Sequence, residues 1–242
     1  VLQELLKANK LKVVLKGESV APDEVKLVVM APSDMPPALA SGQIAGFIVA
    51  EPFNAAAESL KVGKILRFTG DVWKNHACCV VFMHERDLNE RAEWSERVVS
   101  AIVEAQLWTR QNRAEAARLL SKEGQNHYTP HSTEVLSKVL APPADDRARY
   151  ESQGALRHTD WNAQRIDFQP YPFPSYTESL IARLKTTHVE GDTKFLTQID
   201  PKKAARELVD DRFVKKALER VGGLKAFGFP EELTRNETIV TT

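Results

Sequence analysis

The chain has 242 residues, 43% of them hydrophobic, enough to bury a sizeable core in one large domain or two lobes. Its 33 Lys and Arg balance its 33 Asp and Glu, which leaves no basic excess for a nucleic-acid partner. The two cysteines, Cys78 and Cys79, are adjacent, a spacing that strains a disulfide and builds no disulfide framework, and no apolar run is long enough to span a bilayer. Residues 1–10 put Leu2, Leu5 and Leu6 at helical spacing, with no strand and no leader-like segment ahead of them. Such a start reads as a processed protein or a fragment. Residues 25–30, VKLVVM, read as a short buried strand, and Pro32-Ser33-Asp34 ends it with helix-start chemistry. A short helix over 35–41 closes at Gly42. Residues 45–50 form a second strand carrying Phe47, Ile48 and Val49, and Pro52 opens a helix that runs to about Leu60. Residues 64–68 and the almost wholly apolar 78–83, CCVVFM, complete the strand set. The alternation of strands and helices predicts an α/β fold with parallel βαβ pairing.

After residue 89 the pattern becomes helical. Trp94, Val98, Ile102, Ala105 and Trp108 form one apolar face of a long helix, expected in the core. Helices follow over 114–120 and 131–140, then a break at APPADD, then an irregular stretch over 150–176 rich in Pro, Tyr and Phe. A helix over 175–184 precedes Asp200-Pro201, an N-cap and first-position proline that open a helix over 202–209. The last helix turns Phe213, Val214, Ala217, Leu218 and Val221 inward and stops at Gly222-Gly223.

The chemistry-bearing residues gather at strand ends, where open α/β sheets hold ligands. Glu51 is a carboxylate between an apolar run and a helix start. It can meet a solute, or it can satisfy the orphan N–H groups of the helix N-terminus. Asn54 has the same two options. Ser33 and Asp34 sit at another strand end, as helix caps or as ligand contacts. His76, Cys78 and Cys79 invite a nucleophile or a metal site. Strand geometry lets only one thiol share the side of His76, no Gly-rich oxyanion turn is near, and the spacing fits no structural zinc pattern. No metal and no cofactor is therefore expected. The other option for the two cysteines is simple packing in a core. Trp73 and the group around Tyr171, Phe173 and Tyr176 can stack on a ring or pack internally.

The string VKLVVMAPSDMPPALASGQIAGFIVAEPFNAAA, followed by DVWKNHACCVVFMHERDL and WSERVVSAIVEAQLW, resembles the solute-binding proteins of the nitrate/sulfonate/bicarbonate, or NMT1-like, class of ABC importers. The match is carried by Met35, Ala38-Leu39, Gly42, Ile44 to Phe47 and Glu51-Pro52-Phe53-Asn54, and it runs from about Val1 to Ser121. The resemblance implies a type II periplasmic-binding fold, two α/β lobes joined by a hinge with solute in the cleft. It also implies an N-terminally truncated chain with a helix-rich C-terminal part. In that frame residues 1–76 form part of one lobe and residues 77–242 the crossing strand and second lobe. Ligand contacts are expected from Ser33, Asp34, Glu51, Asn54, His76, Cys78 and Cys79, with Glu51 and Cys79 facing one hollow. The His-Ala-Cys-Cys segment replaces the lysine or acid of relatives that take small inorganic anions, which favours an organic solute. The implied partners are a small-molecule solute and a membrane permease, and the implied location is periplasmic or extracytoplasmic. The rival readings are an enzyme on the same fold, similar to a pyrimidine-precursor synthase and using His76, Cys78 and Cys79, and a cytoplasmic solute-sensing domain related to a transporter ATPase.

Overall fold

A computed structural model describes residues 1–15, 17, 20–161 and 164–240. In chain order its elements are helix α1 (Leu2–Ala8), strands β1 (Lys12–Val14) and β2 (Glu24–Lys26), then helices α2 (Met35–Ala40), α3 (Phe53–Ser59), α4 (Glu85–Glu90), α5 (Ala92–Gln111), α6 (Arg113–Leu120), α7 (Thr133–Leu140), α8 (Ala144–Ser152), α9 (Pro174–Leu184), α10 (Lys194–Gln198), α11 (Pro201–Leu208) and α12 (Arg212–Val221). The fold is helix-rich α/β. Strands β1 and β2 pair in parallel with Val13 opposite Val25, but β1 is a strand the sequence pattern did not predict. The expected helix-linked pairing is not what forms. Only residues 25 and 26 of the expected first strand join a ladder, and among the described residues the runs 45–50, 64–68 and 78–83 join none. A strand needs a neighbour to satisfy its backbone. Among the described residues these runs have none, and each leaves apolar side chains in solvent: Ile48 is 43%, Leu66 82% and Phe82 91% exposed.

The chain divides into two compact units. The first comprises Val1–His76, Arg113–Ile166 and Thr238–Thr242, and the second Ala77–Asn112 and Asp167–Glu237. The sequence reading kept all of 77–242 together, whereas residues 113–166 fold with the first segment. Apolar matching explains this. Helix α7 lays Val135 and Val139 against Ala55 of α3, and Tyr150 and Leu156 pack with Ile65 and Phe68. Trp73, 1% exposed, is bridged to Ile239, and Val240 donates its N–H to the carbonyl of Val72 at 2.7 Å. Asp71, fully buried, accepts the backbone N–H groups of Arg157 and His158 at 2.9 and 2.6 Å and pairs with Arg67 at 2.7 Å.

In the second unit α12 packs along α5. Asp200 caps α11 by accepting from the Lys203 N–H at 2.6 Å, and α12 ends at Gly222, whose φ of 92° a side chain would resist. Phe213, Val214, Ala217 and Leu218 are buried as their spacing predicts. Tyr171 and Phe173, edge to face at 4.9 Å, belong to the core with Val103 and Phe227 rather than to a binding rim. The face of α5 is a correction. Trp94 and Trp108 are 43% and 42% exposed, and the inward stripe is Ser95, Val99, Ser100, Val103 and Leu107. Arg220 of α12 donates to the hydroxyl of Ser100 at 3.1 Å, and the Ser95 hydroxyl donates to the Asp87 carbonyl of α4 at 3.0 Å. A pair of indoles at that seam would hold the helices apart.

This packing sets a contrast that chemical unfolding can read. Phe227→Ala empties a core site 1% exposed and is expected to cost about 3–5 kcal/mol. Trp94→Ala, on the open side of α5, is expected to cost about 1 kcal/mol or less in the same urea titration.

Candidate functional site

The expected ligand residues fall in both units. Ser33, Asp34, Glu51, Asn54 and His76 belong to the first, and Cys78 and Cys79 to the second.

Glu51 ends an extended apolar run and precedes α3. One carboxylate oxygen accepts from the Ala55 N–H at 3.1 Å, and the other accepts from Nε of Arg165 at 2.6 Å. Glu51 thus makes the helix-terminus contact that its position suggests, together with an ion pair. Arg165 is 2% exposed and Glu51 11% exposed. The same guanidinium donates from Nη1 to Glu58 at 2.8 Å and to the Tyr150 hydroxyl at 2.7 Å. Glu58 lies near the end of α3 and Glu51 ahead of it, before the non-helical Pro52, and Arg165 joins the two carboxylates. Tyr150 in turn donates to Glu58 at 3.0 Å, and Arg149 reaches the same carboxylate at 3.4 Å.

Burial pulls the pKa of Arg165 down, and the charges of Glu51, Tyr150 and Glu58 with the Glu51 hydrogen bond outweigh it, leaving it raised. Desolvation pushes the Tyr150 hydroxyl up to about 12, with Glu58 adding to the rise against the opposing pull of Arg165 and Arg149. Beside this cluster is a hollow of about 30 Å³, bounded by Phe68, Pro142, Leu156, Gln164 and Arg165. It has room for water and none for an organic solute.

Asn54 donates its side-chain N–H to the carbonyl of Val49 at 2.7 Å, which fixes the turn into α3. Ser33 and Asp34 are exposed, and among the described residues their side chains bond only each other, Ser33 donating to Asp34 at 3.4 Å. Neither caps α2 through its side chain. His76 packs its ring on Trp73 at 5.8 Å, and burial lowers its pKa.

The cysteines depart from the packing alternative, since both are free and exposed. Desolvation and the adjacent Cys79 raise the Cys78 pKa, the opposite of what an activated thiolate needs. Among the described residues no cluster of three or more His, Cys, Asp or Glu is placed to hold a metal ion. Among them, too, no helix is long and apolar enough to cross a membrane.

The sequence reading missed Arg165, Glu58 and Tyr150. Glu51 lies ahead of α3 and Glu58 within it, so no single helical spacing marks the two as partners of one cation. Nothing local to Arg165, inside an irregular stretch, marks it as that cation.

The profile of the NMT1-like family matches residues 1–121, half of the chain, and the chain belongs to that family. It is 24% identical over 165 residues to the nitrate/nitrite binding protein NrtA of Nostoc, covering 67% of this chain and 36% of that protein. It is 29% identical over 130 residues to the NrtA of Synechococcus elongatus, covering 51% of this chain and 28% of the relative. A third match is the nitrate import ATP-binding protein NrtC of Synechocystis, 27% identical over 159 residues, covering 65% and 23%. The chain therefore spans only about a quarter to a third of the length of the curated relatives it matches. No solved structure matches it significantly.

The buried Tyr150 hydroxyl gives this cluster a pH signature. Its pKa is about 12 in the folded state against 10 for the free side chain. The stability it confers is complete below pH 10 and drains away as pH rises from 10 toward 12, by on the order of 2 kcal/mol. Unfolding titrations at pH 9, 10, 11 and 12 are expected to show that decline, and a shallower one in Tyr150→Phe.

Proposed function

We propose that this chain is the solute-binding portion of an ABC-type importer and that it works by binding rather than catalysis. The observation that carries the reading is the family match over residues 1–121, which contains every candidate ligand residue. The names of two relatives, nitrate/nitrite binding protein, point to a small anion. The segment His76-Ala77-Cys78-Cys79 widens the class to small organic solutes, since two thiols offer a neutral, polarizable surface. In this proposal the solute lies in an interlobe cleft, as the resemblance implies, and hinge closure around it favours a form that docks on a membrane permease. The location would be extracytoplasmic.

Within the first unit, the residues best suited to meet a solute are Ser33 and Asp34, which are exposed and leave their helix uncapped. Glu51 and Asn54 would act behind them by holding the entry to α3, because both already serve local partners. The raised pKa of Cys78 speaks against the enzyme reading. A second reading has one observation of its own. The match to NrtC, named as an ATP-binding protein, favours a solute-sensing domain attached to a transporter ATPase.

Thermal shift and calorimetric titration with nitrate, nitrite, bicarbonate, an alkyl sulfonate and a heteroaromatic amine test the proposal. A true solute at 100 times its Kd should stabilise the protein by about 2.7 kcal/mol. Asp34→Ala should abolish that gain and leave the unliganded unfolding midpoint unchanged. Failure of every solute to shift the midpoint contradicts the reading. Turnover of a solute that is lost in Cys79→Ser establishes the enzyme instead.

A further inference from the structure

Cys78 and Cys79 form a pair that packing does not consume. Both thiols are free and exposed. In a regular strand neighbouring side chains point to opposite faces, yet here the two thiols share a hydrogen bond. The segment can depart from strand geometry because it joins no ladder. Among the described residues no backbone hydrogen bond reaches residues 78 and 79. What fixes the segment lies one residue earlier. The Tyr176 hydroxyl, on α9, donates to the carbonyl of Ala77 at 2.8 Å, and Ser175 beside it donates to Glu237 at 2.9 Å. An anchored peptide thus presents two sulfurs to solvent, close enough to act together.

Donor count decides what such a pair can hold. Structural zinc takes four ligands, and catalytic zinc takes three from the protein. Among the described residues no three His, Cys, Asp or Glu gather to supply them. A direct disulfide between adjacent residues is strained. A trivalent arsenic centre that already carries one organic group needs two sulfurs and no further protein ligand, and as a soft acceptor it suits sulfur. Inserting arsenic between the sulfurs also enlarges the ring and spares it the strain of the S–S bond.

We propose that Cys78 and Cys79 are a chelating site for trivalent organoarsenicals, compounds with one carbon–arsenic bond and two As–OH groups. In the binding step each thiol condenses with one As–OH group. Two As–S bonds form and two As–O bonds break, and the thiol hydrogens leave with the hydroxyls as two molecules of water. Arsenic stays trivalent and no electrons are transferred. Burial and the bond to Cys79 raise the pKa of Cys78, so at neutral pH it holds the proton that the condensation uses. The proposal does not rest on the solute reading, and its test uses no transported solute.

The test titrates the 242-residue chain with phenylarsine oxide and follows intact mass and free thiols. One phenylarsenic group per chain is expected, with both thiols lost together. The adduct should withstand excess glutathione, a monothiol, and be released by dimercaptopropanol. Chelation should make binding tighter by about 100-fold or more than in Cys78→Ser or Cys79→Ser. Both thiols are exposed, so neither variant should move the urea midpoint. Affinity should stay level between about pH 6 and 8, where both thiols remain protonated, whereas a zinc thiolate would tighten as pH rises. The anchored pair should also bind about tenfold tighter than the same chain unfolded in urea. Stripping by glutathione as easily from the native chain as from the serine variants overturns the proposal. So does equal affinity in the unfolded chain, or zinc binding that displaces the arsenical.

Discussion

One buried guanidinium organises the first unit. Arg165 is almost wholly removed from water, and an unpaired charge at that depth would cost several kcal/mol. It is tolerated because Glu51, just ahead of α3, and Glu58, near the end of α3, neutralise it and the Tyr150 hydroxyl accepts a further bond. The constraint runs both ways. Helix α3 is pinned just ahead of its start and near its end, and α8 is pinned through Tyr150. The entry to α3 is then set by Glu51 on the Ala55 N–H and by Asn54 on the Val49 carbonyl.

This arrangement changes what a carboxylate at the end of an apolar run signifies. Position alone makes Glu51 a ligand candidate, because strand ends in α/β folds face ligands. Electrostatics assigns it to the scaffold, because a buried arginine claims the charge. Ser33 and Asp34, one apolar run earlier, have no comparable claim on them and stay in water. Solute recognition, on this account, uses the uncommitted polar groups and leaves the committed ones to fix the backbone that presents them.

Much of the helical part was legible from residue spacing. The inward face of α12, the Asp200-Pro201 start of α11 and the Gly222 stop each follow from a local rule, and each is present. Two things were not legible. The side of α5 that packs was misread because hydrophobicity ranks tryptophan above serine. The buried side instead holds the small residues Ser95, bonded to α4, and Ser100, bonded to α12. The strands were legible as apolar runs but not as ladders, because a ladder depends on a neighbour that no local pattern supplies. At the site, Glu51 could be located but not assigned, since its partner Arg165 lies more than a hundred residues on. Family membership was readable from the ordered string around Glu51-Pro52-Phe53-Asn54, and the match over residues 1–121 agrees with it.

The central claim is that the Glu51 carboxylate is consumed inside its own unit by Arg165. A double-mutant cycle of Glu51→Gln and Arg165→Met, read by urea unfolding, measures it most directly. The account predicts a coupling of about 1.5 kcal/mol or more between the two positions, as for buried charges in contact. A coupling below about 0.5 kcal/mol would mean that the two side chains act independently, and Glu51 would return to the list of groups free to meet a solute.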